Sequence, residues 1–105
     1  MSMTVSIGRN VKGKPMSDAL WQSFTTDILR NIRSNTQAIY FVGFGDGTYG
    51  AETEESFTVI SETPTTSAYC AISVSLSLFA EAYGQEAIAM TVGQTDLVLA
   101  STSHR

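Results

Sequence analysis

Two hydrophobic periods alternate along this chain, and their order limits the architectures open to it. Met3, Val5 and Ile7 alternate with Thr4 and Ser6, the period of a half-buried strand, and Gly8 stops the run. Trp21, Phe24, Ile28, Leu29 and Ile32 then fall on one stripe at helical spacing. Ser17 suits the N-cap of this helix, which is expected to run to about Arg33 and close at Ser34 and Asn35. Asp18 in its first turn and Arg30 and Arg33 in its last turn each complement the helix dipole.

Ala38 to Phe44 (AIYFVGF) is apolar throughout, which predicts an inner strand covered on both faces. The glycine-rich stretch 43–50 reads as a long hairpin tip, with Asp46-Gly47 as its tightest turn signal. Residues 56–61 (SFTVIS) make the return strand. The segment 63–84 carries both periods. Ile72, Val74, Leu76 and Leu78 alternate with serines, yet Tyr69, Ile72, Leu76, Phe79 and Tyr83 form a helical stripe. Helix is the expected outcome: Thr63-Pro64 offers an N-cap and a first-turn proline, Gly84 a C-cap, and the segment is long for one strand. Residues 87–92 make another strand, Gly93-Gln94-Thr95 a turn, and Asp96 to Ala100 a short final strand.

This order predicts an α+β domain of ferredoxin-like, split β-α-β plan: an antiparallel sheet with two helices on one face. One domain is expected over residues 1–100, with a flexible tail at 101–105. Strands this apolar and this poor in charge favour covering the open sheet face with a second copy, so a homodimer is expected.

The charge is polarised. Residues 1–33 hold Arg9, Lys12, Lys14, Arg30 and Arg33 against Asp18 and Asp27, whereas residues 34–105 hold eight acids against Arg105 alone. A sequence pI near 4.7 excludes sequence-independent nucleic-acid binding, which needs dense Lys and Arg. No apolar run reaches the length of a membrane span, and no leader is evident, so no membrane partner is expected. The single Cys, Cys70, rules out an intramolecular disulfide and fits a reducing cytoplasm.

The pieces Thr4 to Asn10 (TVSIGRN), Pro15-Met16-Ser17, Trp21, Glu54 to Val59 (EESFTV) and Tyr83 to Ala89 (YGQEAIA) resemble small uncharacterised proteins of actinobacteria and their phages. The order of elements is similar to a family of small bacterial proteins of ferredoxin-like plan. There a Trp-containing first helix and an aromatic-Gly-Gln-Glu helix end recur. The resemblance lends no catalytic residues. It implies a context, that of a phage or mobile-element accessory protein.

The candidate ligand-binding residues are Arg9, Asn10, Lys12 and Lys14, in the loop before the first helix, where free backbone N–H groups favour an anion. Phe44 and Tyr49, in the glycine-rich stretch, are candidates for stacking on a base or ring. Gly8-x-x-x-x-Gly13-Lys14-Pro15 echoes a phosphate loop, but Pro15 stands where a Ser or Thr is needed. Glu52, Glu54 and Glu55 read as a solvated strand entry, since adjacent strand residues diverge. No metal site, no cofactor and no catalytic residue is expected. His104, the one histidine, lies in the tail, and the serines lack a nucleophile elbow. The function expected from these features is a non-enzymatic protein that sequesters a small anionic or nucleotide-like ligand. A protein–protein inhibitor acting through the acidic surface is the alternative. An enzyme with a dimer-cleft site ranks last.

Overall fold

The computed structural model describes residues 1–49 and 51–93. The expected strand at 96–100, the tail at 101–105 and His104 lie outside the described residues.

Strand β1 (Ser2–Gly8) buries every second side chain, as the alternation predicts, with Met3, Val5 and Ile7 all but inaccessible. The basic loop after it folds into a miniature hairpin of β2 (Asn10–Val11) and β3 (Lys14–Pro15). Its turn sits at Lys12 and Gly13, whose φ angles of 51° and 80° are both positive. Helix α1 (Asp18–Asn35) starts where expected: the Ser17 hydroxyl accepts a hydrogen bond from the Leu20 N–H. The stripe of Trp21, Phe24, Ile28 and Ile32 faces the sheet. Helix α2 (Thr66–Ala82) packs beside α1. Its N-cap is Thr65, two residues later than expected, because Thr65 and not Thr63 presents its hydroxyl to the Ala68 N–H. Gly84, at φ +75°, follows the helix end.

The remaining strands are β4 (Ile39–Tyr49), β5 (Glu52–Glu62) and β6 (Ala89–Gly93). With β1 they form one antiparallel sheet in the order β4-β5-β1-β6. Two helices on one face of this sheet give the ferredoxin-like α+β fold that the order of elements predicts. The core between the layers is built from Met3, Val5, Ile7, Phe24, Ile28, Ile32, Phe57, Val59, Ile72 and Leu76. Burying each large apolar side chain here contributes on the order of 1.5–3 kcal/mol before conformational entropy is set against it.

Two sequence expectations are corrected. β4 is an edge strand and not an inner one. Tyr40, Phe41 and Phe44 are each more than half exposed. Asp46-Gly47 is not the turn: Asp46 pairs with Glu55 and Gly47 with Glu54, so both strands of the hairpin run on to Tyr49 and Glu52. The open sheet face is mixed. The register sets Thr4, Ser6, Thr58 and Thr91 together on it, with Ser6 Oγ and Thr58 Oγ1 3.1 Å apart, and Phe41 and Ile60 beside them. Further exposed apolar side chains lie on the outer side of α2, where Val74 and Leu78 are about 60% exposed.

Candidate functional site

One end of the molecule gathers most of its polar chemistry. The C-terminal end of β1, the β2–β3 hairpin, the start of α1, the distal half of the β4–β5 hairpin and the residues after α2 all meet there. Arg9 leaves β1 and donates its backbone N–H to the Glu55 carbonyl, 2.9 Å, which carries the β1–β5 ladder one step further. Glu54 and Glu55 diverge to opposite faces of β5, as adjacent strand residues must. Each nevertheless finds a partner, because the chain following β1 wraps both sides.

On the helix side, Arg9 is clamped. Its Nη1 donates to Glu55 Oε1 at 2.8 Å, its Nη2 to Asp18 Oδ1 at 2.5 Å and its Nε to the Met16 carbonyl at 2.8 Å. The Asp18 bond, then the Glu55 bond, raises the guanidinium pKa beyond its already high value. This corner forms a shallow, open cleft of about 260 Å³ lined by Asp18, Trp21, Gln22, Thr25, Phe44 and Glu55. The Phe44 ring, 61% exposed, is propped edge-on against Trp21 (centroids 6.3 Å apart) and tilted against Phe57 (4.9 Å).

On the open-face side, the Glu54 carboxylate accepts a 2.8 Å hydrogen bond from the Asn10 N–H. It lies directly over Gly8, where a β-carbon would stand only 2.5 Å from both carboxylate oxygens. Gly8 is therefore the residue that admits Glu54. A cavity of about 310 Å³ opens beside it, lined in part by Asn10, Thr48, Glu52, Glu54 and Ser56. A third, of about 440 Å³, lies between Arg9, Asn10, Gly13 and Pro15 on one side and Glu52, Thr53 and Glu55 on the other. From beyond α2, Gln85 closes the arrangement. Its Nε2 donates to the carbonyls of Gly8 and Asn10, 3.0 Å each, and so fixes the backbone that holds Glu54.

The candidate ligand residues distribute over this end as follows. Arg9 has its donors engaged by Asp18, Glu55 and Met16. Asn10 acts through its backbone on Glu54. Lys12 and Lys14 are exposed on the small hairpin. Phe44 roofs the helix-side cavity, and the backbone of Tyr49 pairs with Glu52 near the hairpin tip. The structure thus brings Arg9, Asn10 and Phe44 into one region and adds Asp18, Trp21, Glu54, Glu55 and Gln85. Sequence spacing does not reveal these five, since their partners lie 9 to 77 positions away. Arg30 and Arg33 are not part of this region; they line a separate groove further along α1. Among the described residues, no three His, Cys, Asp or Glu side chains converge as a metal would require, and no helix is long and apolar enough to cross a membrane.

No protein family and no curated protein matches the sequence. Two solved structures share the fold. One is a phage SAM lyase in complex with S-methyl-5'-thioadenosine, with 18% identity, 85% of this chain and 76% of that chain covered and a TM-score of 0.53. The other is a phage SAM lyase in the apo state, with 19% identity, 85% and 75% coverage and a TM-score of 0.55. At these identities the likeness establishes the fold, and it places phage proteins among the relatives in fold. It also overturns the ranking of functions drawn from the sequence: the solved neighbours of this fold are enzymes, not sequestering proteins. That ranking rested on the lack of a histidine base, metal ligands or a serine elbow.

Proposed function

We propose that this chain is a lyase acting on S-adenosylmethionine and releasing S-methyl-5'-thioadenosine. The observation that carries the reading is the shared fold with two phage SAM lyases over 85% of the chain. S-methyl-5'-thioadenosine is what remains of S-adenosylmethionine when the bond between sulfur and the four-carbon amino-acid fragment breaks. Both bonding electrons go to sulfur, and the positive sulfonium becomes a neutral thioether. The carbon that leaves sulfur gains a bond to an oxygen of the fragment's own carboxylate, closing a five-membered lactone, so atoms and charge balance and no water is consumed.

The site suits such a substrate. S-adenosylmethionine carries a sulfonium, an ammonium and a carboxylate. Glu54, held by Asn10 over Gly8 on the open-face side of β5, is the carboxylate proposed to accept hydrogen bonds from the substrate. Lys12 and Lys14 are the exposed cations available to the substrate carboxylate. Arg9, tied to Asp18 and Glu55, shapes the cleft on the helix side of β5. The direct test is incubation of the purified protein with S-adenosylmethionine and chromatographic detection of S-methyl-5'-thioadenosine.

We further propose that the protein is a cytoplasmic homodimer. The exposed apolar residues of β4, Phe41 on the open sheet face among them, and of α2 support self-association; the mass in solution tests it.

A further inference from the structure

We infer that the cavity between α1 and β4 is a subsite for a methylated sulfonium centre, a cation with no N–H of its own. The inference deepens the lyase reading and rests on it for the natural ligand. It commits Phe44 to the sulfonium and not to the purine base.

Four features of the cavity lead there. Asp18, fully exposed, and the half-buried Glu55 line it, and among the described residues only Arg9 pairs with their two negative charges, so the corner carries a net negative charge. Among the described residues, no Lys or Arg lines the cleft itself. One oxygen of each carboxylate is already occupied by Arg9, which disfavours a ligand that must donate several hydrogen bonds. The remaining wall is aromatic: the exposed Phe44 ring, backed by Trp21 and Phe57. An alkylated cation is weakly hydrated and is attracted to ring faces, the same physics by which aromatic cages hold quaternary ammonium groups.

Trp21 supplies an independent sign. It is only 5% exposed, yet its indole Nε1 is buried without a hydrogen-bond partner. Buried polar atoms left unpaired in a native fold are uncommon and call for an explanation. A ligand oxygen reaching this wall, with a small movement of the Phe44 ring, would supply the missing acceptor. The arrangement also separates substrate from product. Once the bond to sulfur breaks, the neutral thioether loses both the charge attraction and the attraction to the ring, so product binds more weakly than substrate at this subsite.

Trp21 is the single tryptophan of the chain, so its fluorescence reports this cavity alone and requires no turnover. The probe is trimethylsulfonium chloride, titrated against sodium chloride at matched ionic strength, methylammonium chloride and the neutral thioether dimethyl sulfide. The expected result is a saturable change in emission with trimethylsulfonium that the other three reproduce weakly or not at all. Phe44→Leu should weaken it about two- to fivefold, and Asp18→Asn with Glu55→Gln should abolish it while circular dichroism stays native. Equal response to methylammonium or to dimethyl sulfide, no saturation, or full affinity in Phe44→Leu overturns the inference. Product formation, measured separately, tells the two readings apart. A protein that cleaves S-adenosylmethionine but ignores trimethylsulfonium refutes the subsite alone. One that binds the probe but leaves S-adenosylmethionine intact refutes the lyase reading.

Discussion

Replacing Gly8 by alanine isolates the role of Glu54 with one methyl group. The added carbon would stand 2.5 Å from both oxygens of the Glu54 carboxylate. Favourable contacts between heavy atoms begin near 3.5 Å, so the carboxylate must retreat by about 1 Å. Glu54 reaches this spot with the flexible end of its side chain, so the backbone need not move. The stability effect is therefore small. Loss of the Asn10 N–H bond to a charged acceptor costs at most about 1.5–3 kcal/mol, reduced here by partial exposure. Replacing a strand glycine returns about 0.5–1 kcal/mol. A net change of about 1 kcal/mol is expected by denaturant titration. Turnover should respond more strongly: a displacement of about 1 Å in a positioning group costs on the order of a hundredfold. The assay is the rate of S-methyl-5'-thioadenosine formation under saturating substrate. In a Glu54→Ala background, Gly8→Ala should raise stability by about 0.5–1 kcal/mol and leave the residual rate unchanged, since the clashing group is gone. Wild-type turnover in Gly8→Ala, or the same stability loss with and without Glu54, would refute the reasoning.

Two further outcomes follow from the fold. Tyr83 stacks on Phe24 (4.5 Å between centroids), lies 2.7 Å from Ser23 Oγ, and donates to Asp27 Oδ2 at 2.7 Å. The Ser23 bond pulls its pKa down, but burial and the Asp27 hydrogen bond and charge together push it above the usual value of 10.0. Folding therefore favours the protonated phenol. This contribution is complete below about pH 10 and is lost as pH rises through the folded-state pKa. Denaturant titrations from pH 8 to 11.5 should show an alkaline loss of stability that is smaller in Tyr83→Phe; an equal slope in both proteins would contradict it. For self-association, light scattering should give twice the chain mass of 11.3 kDa. Leu78→Lys combined with Phe41→Lys should shift it to the monomer without unfolding, and a monomeric wild type would rule the dimer out.

How far the sequence speaks for itself differs from element to element. Met3, Val5 and Ile7 announce β1, and the Trp21–Ile32 stripe with Ser17 announces α1, because burial on one face imposes a period that composition alone can display. The apolar run of β4 misleads because periodicity records how a strand is covered in the final assembly, not its place in the sheet. A long apolar edge facing solvent in one chain reads the same as an inner strand. Asp46-Gly47 carries a turn signal, yet cross-strand pairing with Glu55 and Glu54 prevails over it. At the site, Arg9 and Asn10 are legible as polar residues in a loop before a helix. Their work is not, since Arg9 answers to Asp18 and Glu55, and Asn10 to Glu54. Gly8, Glu54 and Gln85 become one unit only when β1, β5 and the end of α2 meet, across separations of 44 to 77 residues. No local pattern encodes that meeting.

The lyase reading is tested by purified protein in catalytic amount, incubated with S-adenosylmethionine and analysed by chromatography and mass spectrometry. It predicts S-methyl-5'-thioadenosine in excess of the protein present, growing with time and strongly reduced in Glu54→Ala. Recovery of the S-adenosylmethionine unchanged, or at most one equivalent bound and released intact on denaturation, would contradict it.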